Sequence, residues 1–165
     1  MSDTNFIRLC SKQPLRVIRE AAKSVTDFNM TDKNGFTPLY AALNNANVVA
    51  FLIKKGADVN YIRPGGYSPL FCGYKSGEYK KILILFLNAG FNPNVTNHNN
   101  DTLLSIFTQA SNITLCRILF KYSNVPIDLD IMNRFGETVP SIIMNSKSPA
   151  LQKLLSRHIK TEIHD

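Results

Sequence analysis

The chain has 165 residues, 44% of them apolar, which suits one packed domain. No apolar run approaches the roughly 20 residues needed to span a bilayer, and the start, MSDTNFIRLCSKQ, lacks the apolar core of a secretory leader, so a cytoplasmic protein is expected, in its own cell or in a host cell reached by export without a signal peptide. The net charge of +7, from 19 basic and 12 acidic residues, favours an acidic or polyanionic partner over a basic one, unless it is simply a solvated surface.

Taken in order, residues 5–30 hold two apolar faces. Phe6, Ile7, Leu9 and Cys10 make the first; Leu15, Val17, Ile18 and Ala21-Ala22 make the second, with Pro14 opening that helix. Arg and Lys side chains between them give a polar outer face. Residues 32–61 are more regular. Asn34-Gly35 is a turn dipeptide, Thr37 is placed to cap a helix, and Pro38 sits where a missing N–H costs nothing. A break at Asn44-Asn45 leads into a second apolar helix, 48–53, which Lys54-Lys55-Gly56 ends.

From 63 onward the same order returns with changes. The third unit is longer, with 22 positions from Ser68 to Gly90 against 19 from Thr37 to Gly56. Its extra residues, Tyr74 to Lys81, are expected to project between two helices. The loop 61–67 places apolar and aromatic groups at a turn tip. The fourth unit keeps Thr102 but has Asn100-Asp101 in the turn. The last has the turn Asn133-Arg134-Phe135-Gly136, helices around Ser141–Met144 and Ala150–His158, and an end from Thr161 expected to fray.

The spacing shows that these are repeats. Thr37-Pro38-Leu39 is echoed by Ser68-Pro69-Leu70, Thr102-Leu103-Leu104 and Thr138-Val139-Pro140, at intervals of 31, 34 and 36 residues. Seven residues separate Asn29 from Thr37, Asn60 from Ser68, Asn94 from Thr102 and Asp130 from Thr138. The pattern resembles the ankyrin repeat, with its period of about 33 residues and its T-P-L-H-x-A signature. The resemblance implies an all-α solenoid of about five helix–turn–helix units with projecting loops, forming one domain over 1–165. The units fall at about 4–31, 32–62, 63–96, 97–132 and 133–160, the first and last acting as caps. The family's histidine is here Tyr40, Phe71, Ser105 and Ser141, which puts its polar tie between repeats in doubt but not the apolar stacking.

Catalytic signatures are missing at the level of motif. No P-loop, dinucleotide fingerprint, nucleophile elbow or zincin motif occurs, and His158 and His164 lie six apart, off helical register for a metal pair. Cys10, Cys72 and Cys116 are too far apart for a disulfide framework or zinc site and are expected as buried thiols. No catalytic residue, metal or cofactor is assigned, and the chain is not expected to be an enzyme.

Proteins with these repeats bind through a concave face of loop tips and first helices. Carried onto this sequence, that implies partner-binding positions Lys33, Phe36, Ile62, Arg63, Tyr67, Lys75, His98, Asp101, Arg134 and Phe135. Aromatic and Arg side chains are the types enriched at interface hot spots. The expected function is therefore a protein–protein interaction module, an adaptor or inhibitor working as a monomer on a partner with an acidic patch. Small stand-alone proteins of this kind serve as host-directed effectors, as immunity proteins and as cytosolic regulators. The alternative is a basic surface that binds nucleic acid or another polyanion, against which stands the scatter of the lysines and the lack of a recognition module.

Overall fold

The computed structural model describes residues 3–73 and 76–162. Among these there are ten α-helices and one isolated bridge, Arg63–Tyr67. The helices fall two to each expected unit: α1 (Asp3–Lys12) and α2 (Leu15–Ala21), α3 (Pro38–Ala41) and α4 (Ala46–Lys54), α5 (Pro69–Cys72) and α6 (Tyr79–Asn88), α7 (Leu103–Gln109) and α8 (Ile113–Tyr122), α9 (Val139–Ser146) and α10 (Pro149–Glu162). α10 runs through Thr161 and Glu162, past the point where fraying was expected, while 163–165 lie outside the described residues.

The chain separates into two compact units, 1–90 and 91–165. In the first, α1 packs on α3, while α4 packs on both α2 and α6. The core is Phe6, Ile18, Leu39, Leu52, Leu70, Ile82 and Phe86, each no more than 1% exposed. In the second unit α7 packs on α9 and α8 on α10, around Leu103, Leu104, Phe107, Leu119 and Leu151. Helices of four to fourteen residues are too short to persist alone in water, so this apolar burial is what holds them.

Capping follows the repeat. Thr37, Thr102 and Thr138 accept from the backbone N–H of Tyr40, Ser105 and Ser141, and Ser141 returns the bond to Thr138 as a capping box. Ser68, at the same position, makes no cap bond, and its buried hydroxyl has no partner among the described residues.

A polar tie between repeats does exist, built from carboxamides instead of histidine. The Asn29 side chain accepts from the Asp58 N–H (2.7 Å) and donates to Gly56 O (3.1 Å). Asn60 donates to Gly90 O (3.0 Å), and Asn94 both donates to Pro126 O (2.8 Å) and accepts from the Asp128 N–H (2.9 Å). These are the asparagines of the constant spacing.

Candidate functional site

The loops before α3, α5, α7 and α9 share one hairpin turn. The amide of its first residue donates to the carbonyl four residues on, in Asp32–Phe36, Arg63–Tyr67, Asn97–Asp101 and Asn133–Glu137, at 2.9–3.1 Å. Its fourth residue has positive φ: Gly35 at 76°, Gly66 at 79°, Asn100 at 61° and Gly136 at 77°. Asn100 fills the position because Asn tolerates the left-handed region better than other non-glycine residues. At three loops the first side chain reinforces the turn. The Asp32 carboxylate and the Asn97 and Asn133 carboxamides each accept two loop N–H groups, at 2.8–3.0 Å.

The loop 63–67 has Arg where the others have Asp or Asn. Its side chain instead lies over the Phe36 ring, 4.4 Å from the centroid, and beside Tyr67 at 5.2 Å. Arg63 Nε is buried with no hydrogen-bond partner among the described residues. Phe36 continues edge-on into Tyr40 (5.8 Å), and Tyr40 into Tyr61 (6.3 Å), whose hydroxyl donates to Gly35 O (3.2 Å). The structure thus brings Phe36, Arg63 and Tyr67 into one cluster, with Ile62 (46% exposed) next to it. Lys33 is exposed on the neighbouring loop tip.

Behind Phe36 opens a pocket of about 370 Å³ between α3 and α5, lined by Tyr40, Leu43, Cys72 and Gly73. Among the described residues the buried Tyr40 hydroxyl has no hydrogen-bond partner, the nearby Arg63 N–H being donated to Tyr67 O. Burial and the adjacent Cys72 thiol raise its pKa above the usual tyrosine range, with Arg63 pulling weakly the other way. Cys72 corrects the expectation of three buried thiols, because it is exposed. Its pKa is raised by burial of the sulfur and partly restored by Arg63. Cys10 and Cys116 are buried, and desolvation pushes both up to about 12. Among the described residues no group of three His, Cys, Asp or Glu is placed to hold a metal ion.

In the 91–165 unit, His98, Arg134 and Phe135 are exposed, and the Arg134 guanidinium lies 4.7 Å from the Phe135 ring. The two loops are joined by Arg134 N–H donating to Asn99 O (2.8 Å) and by Asn100 donating to Met132 O (3.2 Å).

The family comparison agrees with this geometry. Residues 7–97 match the family described as ankyrin repeats (3 copies). The chain belongs to the ankyrin repeat family. Ankyrin relatives are found in several settings. A probable serine/threonine-protein kinase of Dictyostelium discoideum is 26% identical over 134 residues, 77% of this chain and 15% of its own length. A probable E3 ubiquitin-protein ligase of Oryza sativa subsp. japonica is 36% identical over 93 residues, 53% of this chain and 18% of its own. An ankyrin repeat-containing protein of Schizosaccharomyces pombe is 26% identical over 144 residues, 82% of this chain and 67% of its own. The chain therefore spans less than a fifth of the first two relatives, whose names describe activities of much longer proteins. Ankyrin repeats are protein–protein interaction modules, and that much applies here.

Two expectations from the sequence are corrected on the ankyrin scaffold. Asp101, expected to bind a partner, is only 6% exposed. Its carboxylate accepts from Asn133 (3.1 Å) and from Asn97 (3.3 Å), so it is engaged in joining the two loops. Tyr79, expected in a projecting bump, is 4% exposed in the first turn of α6, and its hydroxyl donates to Leu70 O (3.0 Å). Tyr74 and Lys75, which belong to the same expected bump, lie outside the described residues. Missed from sequence were the pocket residues Tyr40, Leu43 and Cys72. Aligning the repeats holds the signal, since Cys72 occupies the position of Ala41, and both line the pocket.

Proposed function

We propose that this protein is a non-catalytic adaptor or inhibitor that grips one protein partner with its loop-and-first-helix face, the side expected to be concave. The observation that carries the reading is the Arg63 cation held on Phe36 and Tyr67 next to an apolar pocket. An aromatic-stacked guanidinium is already ordered, so less side-chain entropy is lost when a carboxylate arrives. A pocket of about 370 Å³ accepts a single apolar side chain of the partner. The partner favoured is one whose acidic residue lies beside an apolar anchor, bound by a monomer of this chain in the cytoplasm. Phe135 and Arg134 offer a second aromatic–cation pair of the same kind.

The test combines capture with a chemical footprint. Native cytosol is passed over wild type and over an Arg63→Ala, Tyr67→Ala variant whose helicity is verified by circular dichroism. Alkylation of Cys72 is then followed with and without the captured protein. Loss of capture in the folded variant, together with slowed Cys72 alkylation in the complex, supports the site. Equal capture and unchanged alkylation would place the partner elsewhere. Recovery of nucleic acid alone, released steeply by salt, would favour the polyanion reading that the +7 charge leaves open.

A further inference from the structure

A second groove, of about 440 Å³, lies within the 91–165 unit where α8 and α10 pack together. None of its lining residues belongs to a loop tip or a first helix. The floor is apolar, with Phe120 from α8 and Leu154 from α10, and the His158 ring lies against Phe120 at 3.9 Å. Around that floor stand Arg117 and Lys121, one helical turn apart on α8, and Arg157, three residues after Leu154 on α10. The two helices carry little to balance this charge: α8 has no acidic residue, and α10 has only Glu162 at its last position. Among the described residues neither Arg117 nor Lys121 forms an ion pair, and both are exposed. A basic face that serves solubility alone has no need of an aromatic-floored cavity between its cations.

We propose that the α8–α10 groove is a docking site for an acidic peptide segment of a protein partner. One aromatic or aliphatic side chain enters over Phe120 and Leu154, and carboxylates on either side of it meet Arg117, Lys121 and Arg157. The volume holds one large side chain, and the three cations span only the groove itself. That favours a short anchored peptide over a nucleic acid, which needs a longer basic track.

Fluorescence anisotropy tests this with a labelled peptide in which one phenylalanine is flanked by glutamates. The comparison probes are the same peptide with alanine for phenylalanine, a lysine-flanked version, an oligodeoxythymidine, and phosphatidylserine vesicles. The glutamate–phenylalanine peptide is expected to bind. The alanine peptide and the protein variant Arg117→Glu, Lys121→Glu should each weaken binding about ten-fold or more, the size of one interface hot spot. Lys54→Ala, an exposed substitution at the end of α4 that belongs to neither surface, should leave it unchanged. Since both substituted residues are exposed, the fold should survive; Lys121→Gln, expected to weaken binding by a smaller factor, repeats the test if it does not. Absence of peptide binding, equal affinity for the alanine peptide, or retention by the charge-reversed protein would overturn the proposal. So would tighter binding of the oligonucleotide or vesicles through the same cations.

Discussion

The loops of the two compact units share one backbone turn but hold it by different chemistry. In the 91–165 unit, the pair at 97–101 and 133–137 is tied by polar groups. Asn133, 5% exposed, donates to both Asp101 and Glu137 while accepting two N–H groups of its own loop. In the 1–90 unit, the pair at 32–36 and 63–67 is tied by Arg63 stacked on Phe36, by the Tyr61 hydroxyl, and by close approach of Gly35 to Pro64. Among the described residues Arg63 Nε and the Tyr40 hydroxyl have no hydrogen-bond partner, whereas the asparagine network satisfies its carboxylate internally. The same hairpin turn is therefore compatible with a closed loop pair and with one that keeps a cation and a pocket available.

The widest separation between the units should come from Asn133→Ala against Asp32→Ala. The first removes four hydrogen bonds and strips Asp101, a buried carboxylate, of one of its donors. A loss of about 2–4 kcal/mol is expected in urea unfolding. Asp32→Ala removes two bonds at a half-buried loop and should cost about 1 kcal/mol. Equal losses would mean that the internal polar network adds nothing beyond the turn itself.

A smaller and cleaner contrast is Gly35→Ala against Gly136→Ala. Their φ angles are 76° and 77°, so the left-handed penalty, about 1 kcal/mol, is common to both. A Cβ on Gly136 would meet nothing within 4 Å, whereas one on Gly35 would lie 2.7 Å from Pro64 Cδ and 3.0 Å from Arg63 Cγ. The Gly35 variant should lose roughly 1 kcal/mol more, the scale of mild overpacking. It should also weaken partner capture, because the displaced atoms belong to the Arg63 cluster. Thermal unfolding and capture, run on the two variants side by side, check both statements.

What the sequence made legible was the part set by local chemistry. Thr37, Thr102 and Thr138 announce helix starts because a cap needs only residues within one turn of it. The paired helices of all five units follow from those starts and from the apolar runs. Contacts made by residues far apart in the chain were not legible. Asp101 aligns with Phe36 and Tyr67, yet it is buried because Asn133, 32 positions on, takes its carboxylate. Tyr79 reads as part of an inserted loop, but α6 begins at that residue and its hydroxyl reaches Leu70 O. The asparagines at 29, 60 and 94 were visible as a fixed spacing, without any sign that they bond across repeats. The Phe36–Arg63 contact spans 27 positions and has no local signal either.

The smallest effect expected is a pH dependence confined to one joint of the 1–90 unit. Asn45 caps α4 by accepting from the N–H groups of Asn47 and Val48, and the Ala46 N–H is taken by the Glu78 carboxylate of the following repeat (2.7 Å). At the corresponding turn of the 91–165 unit, Asn112 accepts from Leu115 N–H, and a carboxamide carries no charge to lose. The Ala46 bond holds Glu78 below its ordinary pKa of 4.5, with help from Lys81. A lowered folded pKa means that the unfolded chain binds the proton more readily. The stabilisation is then complete above 4.5 and disappears as pH falls through the lowered folded value. Glu78→Gln keeps an acceptor for the Ala46 N–H but removes the charge. Its melting temperature should lie slightly below that of wild type at neutral pH and meet it in acid. A gap between the two proteins that stays constant or widens on acidification would mean that the Glu78 charge does not stabilise the joint.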